Sequence, residues 1–135
     1  MTEVEGNSSR TVPIDLRLPP DPAMSKVLRL AASGVASLCG FTIREIDEIK
    51  LAVSEVLIAL IEHGAGEPVE ISFRVSMQEF QVLGSTRMGP EFDLDHPDLA
   101  LCRVVLEGVC TEHRLDVDGD VVRITATLCR PFPGA

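Results

Sequence analysis

One face of a predicted helix carries the residues best suited to chemistry in this 135-residue chain. Glu55, Ala59 and His63 recur at intervals of four residues, so on an α-helix they lie one above another on the same side. A carboxylate such as that of Glu55 can act as a general base. Ala59 offers no oxygen to a metal ion, and His63 stands in the last turn, where the helix dipole favours a histidine. The face therefore holds one candidate base, for which a solvated carboxylate is the plainer interpretation, and no metal ligand.

The helix that carries these residues has strong end signals. Thr42 and Glu45 form a capping box, and Phe41 and Ile46 are placed for a hydrophobic staple. Its apolar stripe is wide enough to predict burial on more than one side. The remaining polar stripe is narrow and is occupied by Glu48, Glu55 and Glu62.

Hydrophobic periodicity predicts the elements around this central helix, in the order β-α-α-β-β-α-β-β. Besides the central helix, these elements cover about 12–18, 24–38, 69–75, 80–84, 97–109, 115–117 and 122–128. Pro13 cannot donate a ladder hydrogen bond, which places the first strand at a sheet edge. Asp21 is the expected N-cap of the first helix. Residues 86–96 lack a period and are predicted to be a loop.

The run Leu51–His63 resembles the central helix of the RsbW-type anti-sigma factors and serine kinases, a bacterial branch of the GHKL ATPase fold. That family reads L-A-V-x-E-x-x-x-N-x-x-x-H, where the glutamate helps to activate the attacking group and the asparagine ligates the Mg²⁺ of ATP. Glu55 and His63 match this pattern, but Ala59 replaces the asparagine. The resemblance implies an α+β fold: a two-layer, Bergerat-like α/β sandwich with a mixed, mainly antiparallel sheet and helices on one face.

The family's next motif is also altered. Its strand ends in an aspartate that accepts a hydrogen bond from the adenine amino group, and a glycine follows two residues later. The resemblance places Gly89 on the glycine and Arg87 on the aspartate. A guanidinium has donors only, so it cannot accept from the adenine amine. The remnant of a nucleotide pocket would then comprise Glu55, Ala59, His63, Arg87 and Gly89.

The segment before the last helix departs from the family as well. Family members hold the polyphosphate on a glycine-rich turn there, whereas residues 91–106 of this chain contain no glycine. Asp93, Asp95 and Asp98 place negative charge where the triphosphate would lie. The same acids are favoured at a helix start for reasons of capping and dipole. The motifs thus predict a degenerate ATP site with no cofactor; the alternative is ATP with Mg²⁺.

Composition limits the remaining function classes. A net charge of −9 disfavours nucleic acid and suits a basic protein partner. No apolar run approaches the roughly 20 residues of a membrane span, and Met1–Arg10 lacks the features of a signal peptide. We therefore expect a cytoplasmic protein with a flexible tail at 1–10, one histidine-kinase-like ATPase-fold domain at 11–131 and a short tail at 132–135. The four cysteines are predicted to be reduced core residues.

The resemblance implies a regulatory protein that binds a sigma factor, a STAS-type anti-anti-sigma factor, or both, without ATP hydrolysis. Family members of this size commonly form homodimers. One alternative is a serine-protein kinase whose site has drifted but still works, with Glu48 or Glu62 as the substitute ligand for Mg²⁺. A third is a sensor that uses the vacated pocket for another small ligand. If the protein binds its partners without ATP hydrolysis, Glu55 is a remnant of a catalytic base.

Overall fold

The secondary structure follows the predicted order. A computed structural model describes residues 10–130, so the predicted tails lie outside the described residues except for Arg10. The described elements are β1 (Val12–Leu18), α1 (Met24–Leu38), α2 (Ile43–His63), β2 (Val69–Val75), β3 (Glu79–Arg87), α3 (Pro97–Val109), β4 (Glu112–Asp118) and β5 (Val121–Cys129).

The five strands form one sheet in the order β1-β2-β3-β5-β4. The helices cover one face of it, which confirms the predicted α+β sandwich. The expected mixed character is wrong, because every pairing between the described strands is antiparallel. The crossover from β3 through α3 could have made a parallel pair, but it carries β4 past β5 to the sheet edge. β1 forms the other edge, as Pro13 predicted.

Helix α2 is the centre of the packing. It contacts α1, α3 and the strands β2, β3 and β5, so it is buried on more than one side, as its wide apolar stripe predicted. The residues of that stripe that are at most 1% exposed are Ile49, Val53, Val56, Leu57 and Leu60.

At Gly84 on β3, α2 lies close against the sheet. A Cβ atom there would lie 2.6 Å from Leu60 Cδ1 and 2.8 Å from Val56 Cγ1. Carbon atoms attract each other best at about 3.5–4.0 Å. The missing side chain is therefore what allows the helix to sit directly on the strand.

Two local predictions differ from the structure. Strand β3 continues through Thr86 and Arg87, which pair with β5, so the loop begins later than expected. The partner strand β5 pairs with β3 as far as Arg87, whereas the alternation of apolar residues in the sequence ends near Gly84. Asp21 does not cap α1 directly; its Oδ1 accepts from the N–H of Ala23 at 2.9 Å, within a turn that precedes the helix.

None of the helices within residues 10–130 is both long enough and apolar enough to cross a membrane.

Candidate functional site

The start of α2 is fixed by the capping box that the sequence predicted. Thr42 Oγ1 accepts from the N–H of Glu45 at 3.2 Å, and Glu45 Oε1 accepts from the N–H of Thr42 at 2.7 Å. Arg130 Nε donates to Glu45 at 3.1 Å, and its guanidinium lies 4.7 Å from the ring centre of Phe41. Burial raises the pKa of Glu45, but the bonds from Thr42 and Arg130 outweigh it, so the pKa falls below its usual value. These contacts tie the helix to the end of β5.

Glu55 is half-buried on the polar stripe of α2. Burial raises the pKa of its carboxyl, and the negative charge of Glu62 raises that pKa further. No hydrogen bond or ion pair to this carboxylate is present among residues 10–130. Cys102 of α3 points its thiol at the Glu55 carbonyl, 3.8 Å away, so α3 crosses α2 at this level. The carboxyl can titrate, but nothing orients it as a base.

Ala59 lies one turn beyond Glu55 and is only 6% exposed. Its methyl group is part of the hydrophobic core. A magnesium ion requires oxygen ligands, and this position supplies none. Glu48, one of the two substitutes considered above, borders a separate cavity beside Phe41 and Val109. Glu62 lies close enough to Glu55 to affect its titration, so the two carboxylates repel each other here.

Arg87 does not join the other predicted pocket residues. Side chains on β3 alternate between faces, and its neighbour Thr86 is buried toward the helices. Arg87 consequently points to the opposite face of the sheet, where it pairs with Glu67 and Asp120, each at 3.1 Å. Strand β3 runs three residues beyond its predicted end at Gly84, and this extension places Arg87 on the sheet face away from Gly89 and His63.

Gly89 and His63 are brought together at the end of α2. The N–H of Gly89 donates to the carbonyl of His63 at 3.1 Å, and Gly64 forms an isolated bridge with Met88. A Cβ on Gly89 would lie 2.7 Å from the carbonyl oxygen of Gly64. The cavity at this junction has a volume of about 130 Å³ and is lined by Glu62, His63, Gly64, Gly89, Pro90, Glu91 and Phe92.

The first turn of α3 has no free donor for a phosphate. Pro97 has no N–H, and the N–H of Asp98 donates to Nδ1 of His96 at 3.1 Å. The N–H groups of Leu99 and Ala100 both donate to the carbonyl of His96, at 3.0 and 3.1 Å. A helix start binds anions through such groups only when they are free.

Asp93 forms hydrogen bonds within the β3–α3 loop, which we call the lid (residues 88–96). Asp93 Oδ1 accepts from the N–H of Asp95 at 3.0 Å, and the carbonyl of Asp93 accepts from the N–H of His96 at 3.0 Å. The residue that caps α3 is His96 rather than an aspartate.

The arrangement does not fit ATP with Mg²⁺. Ala59 provides no metal ligand, the described part of the lid provides no phosphate cradle, and Arg87 faces away. The cavity of about 130 Å³ beside His63 is also well below the roughly 300 Å³ at which small-molecule sites begin. The imidazole of His63 and the carboxylates of Glu62 and Glu91, which line this cavity, can bind a cation.

His96 has a neighbour that the sequence did not indicate, His63. The rings of His63 and His96 lie 5.0 Å apart, and Phe92 meets His63 edge-on at 6.5 Å. One ligand atom from each of His63, His96 and Asp98 lies within 4.8 Å of the others. In the sequence, the triplet His96-Pro97-Asp98 holds two possible metal ligands close together. That they meet His63 of α2 is visible only in the folded structure.

The junction at Gly89 allows a direct test. We expect Gly89→Ala to lower the free energy of unfolding by about 1–3 kcal/mol, because the new Cβ would collide with backbone rather than with a mobile side chain. Gly34→Ala is the matched control. Gly34 lies exposed within α1, and no neighbouring atom lies within 4 Å of the place that a Cβ would occupy, so alanine should stabilise the helix by about 1 kcal/mol. Urea denaturation of both variants measures the difference, and equal effects would contradict the packing.

Comparison with known proteins finds relatives named as the serine-protein kinase RsbW. No protein-family model matches the chain. The serine-protein kinase RsbW of Bacillus subtilis is 35% identical over 86 residues, which are 61% of this chain and 53% of the relative. RsbW of Oceanobacillus iheyensis is 32% identical over 87 residues, 61% of this chain and 54% of the relative. RsbW of Listeria monocytogenes is 33% identical over 86 residues, with the same coverage.

The chain spans about half the length of the curated relatives it matches. The element order and the antiparallel sheet of this chain are consistent with the α+β sandwich of RsbW-like proteins. The repeated matches at 32–35% identity support the assignment of this chain to the RsbW-type, GHKL-like family.

Proposed function

We propose that this protein is a cytoplasmic regulator that binds a sigma factor, a STAS-type antagonist of the sigma factor, or both, and does so without ATP hydrolysis. The relatives are named as serine-protein kinases. We infer a regulatory role for this chain, but without transfer of phosphate from ATP. The observation that carries it is Ala59, a buried methyl group on the face where the family pattern has a metal-binding asparagine.

The surface of the molecule favours a basic partner. Carboxylates line α2 and continue onto the lid and the start of α3, and the whole chain has a net charge of −9. Sigma-factor regions that contact promoter DNA must be basic, because neutralising phosphates requires Lys and Arg. A protein that covers such a region inhibits by occlusion alone. The acids concerned are Asp47, Glu48, Glu55, Glu62, Asp93, Asp95 and Asp98.

Homodimer formation, which the family likeness implies, stays a prediction. Strand β1 lies at one edge of the sheet and β4 at the other, so each has a side that no described strand covers. Either edge can accept a strand from a second copy.

A kinase with a drifted site is the second candidate, and one observation favours it. The raised pKa of Glu55 moves that carboxyl toward the neutral range in which general bases work best. The candidate nevertheless needs an oxygen ligand for Mg²⁺ in place of Ala59. The third candidate, a small-ligand sensor, is restricted by the cavity of about 130 Å³ to a ligand of very few atoms.

Binding of ATP separates the first two candidates. We expect no heat of binding when the protein is titrated with ATP and Mg²⁺ in the millimolar range, and no thermal shift. A ligand present at a hundred times its dissociation constant would stabilise the protein by about 2.7 kcal/mol. Ala59→Asn alone should not create binding, because the helix-start donors remain occupied. A micromolar dissociation constant for the unmodified protein would contradict the proposal.

Glu55→Gln tests whether this carboxyl does chemistry. Its folded pKa lies above the unfolded value, so the ionised form destabilises the fold. That penalty is absent below about pH 4.3, grows as the pH rises through the folded pKa, and is complete above it. We expect the variant to be more stable at pH 7 by up to about 0.5 kcal/mol, with the gain vanishing near pH 4.

Chemical denaturation at the two pH values measures this gain, and Glu112→Gln on β4 is the control for removing an exposed carboxylate. Neither the unmodified protein nor Glu55→Gln should transfer labelled phosphate from ATP to a STAS-type partner. Transfer by the unmodified protein that Glu55→Gln abolishes would establish the kinase instead.

Ionic strength tests the partner. Association with a sigma factor of the source organism should be fast at low salt and slow markedly as salt rises, because the Debye length falls to about 8 Å at 0.15 M. Surface plasmon resonance between about 0.05 and 0.5 M salt spans this regime. Glu62→Lys should slow association more than Glu112→Lys, although both change the net charge equally.

Two outcomes would count against this proposal. One is an association rate that does not depend on salt. The other is the lack of a complex with any sigma factor of the source organism, which would favour the sensor.

A further inference from the structure

We propose that His63, His96 and Asp98 form a binding site for a divalent transition-metal ion, with Zn²⁺ as the preferred ion. The sequence predicted no metal site, because these residues belong to separate helices. The structure places one ligand atom from each within 4.8 Å of the others. The site does not depend on sigma-factor binding, and it goes beyond that function.

The unsatisfied nitrogen of His63 points to a ligand. Nε2 of His63 is buried and is the one such side-chain atom in residues 10–130 without a hydrogen-bond partner. Leaving a buried polar atom unpaired destabilises the folded state. The ring is held between His96 and Phe92, so rotation to another partner is restricted. A metal ion bound at Nε2 would remove the cost.

Helix capping explains only part of the cluster. His96 accepts from the N–H of Asp98, and the Asp98 carboxylate lies 3.8 Å from Nδ1 of His96. These two residues therefore face each other for local reasons at the start of α3. His63 comes from the end of α2, and capping gives no reason for it to complete the group. The cluster exists because Gly89 docks the lid onto the helix end.

The ligand types select the metal. Two imidazoles and one carboxylate suit Zn²⁺ and its neighbours, whereas Mg²⁺ and Ca²⁺ require oxygen ligands. Zinc bonds of about 2.0–2.2 Å place tetrahedral ligands ~3.4 Å apart. The three atoms, which lie within 4.8 Å of each other, can close that difference through side-chain rotation. The adjoining cavity of about 130 Å³ has room for a water molecule as the fourth ligand.

Metal binding would clip the lid to the central helix. The backbone contacts of Met88 and Gly89 already hold the first end of the lid at α2. An ion bound by His63 and His96 would fix the other end to the same helix. We expect metal to slow hydrogen exchange of the lid amides while leaving the sheet unchanged, because only the lid gains a new restraint.

The test uses the full chain without an affinity tag, titrated with Zn²⁺ by calorimetry and with Co²⁺ by absorption. His96→Asn removes an imidazole while keeping a residue that caps helices well. His63→Leu replaces the buried imidazole with an apolar side chain. His113→Asn on β4 is the matched control, since it removes the chain's remaining histidine and lies outside the cluster.

We expect one ion per chain, with unchanged affinity in His113→Asn. His96→Asn and His63→Leu should each weaken metal binding at least about 100-fold. Even the loss of a residue that only orients a ligand can weaken binding by about that factor, and these variants lose a ligand itself. The cobalt spectrum should lack a thiolate charge-transfer band, which excludes the four cysteines. Equal affinity in all variants, a thiolate band, or no binding of either metal by a folded protein would overturn the site. ATP titration and sigma-factor binding are measured separately, so this failure would leave the proposed function standing.

Discussion

The contact between α2 and the sheet at Gly84 is the constraint on which the other features depend. Because Gly84 has no side chain, Leu60 and Val56 reach the strand directly. The helix is then enclosed by the sheet below and by α1 and α3 at its sides. Only a narrow stripe stays open, and that stripe holds the carboxylate of Glu55. A helix held further from the sheet would expose more of its surface and would have no fixed relation to the lid.

The far end of α2 is closed by backbone contacts instead of side chains. Gly64 bridges Met88, and the N–H of Gly89 binds the carbonyl of His63. Backbone atoms cannot move aside as a side chain can, so the space between helix and lid stays small. This closure favours contacts with a protein surface or a single ion over contacts with a nucleotide.

The sequence predicted those features that depend on local pattern. The capping box of α2, the buried stripe and the edge position of β1 all follow from residues close together in the chain. The face of Arg87 could not be predicted in this way, because extending a strand by one residue reverses which side of the sheet its last side chain meets. The meeting of His63 with His96, and the place of β4 beyond β5, depend on contacts between distant segments. Such contacts leave no periodic signal in one sequence.

The carboxylates on the open stripe of α2 set the electrostatics of that helix. Glu62 lies close enough to Glu55 for its charge to raise the pKa of the Glu55 carboxyl, and no described cation pairs with either carboxylate. Carboxylates in this position are stabilised by any positive charge that approaches them. Under the proposed function, that charge comes from the basic side chains of a partner. The imidazoles at the end of the same helix suit a transition metal instead, so one helix can present two separate sites for cations of different kinds.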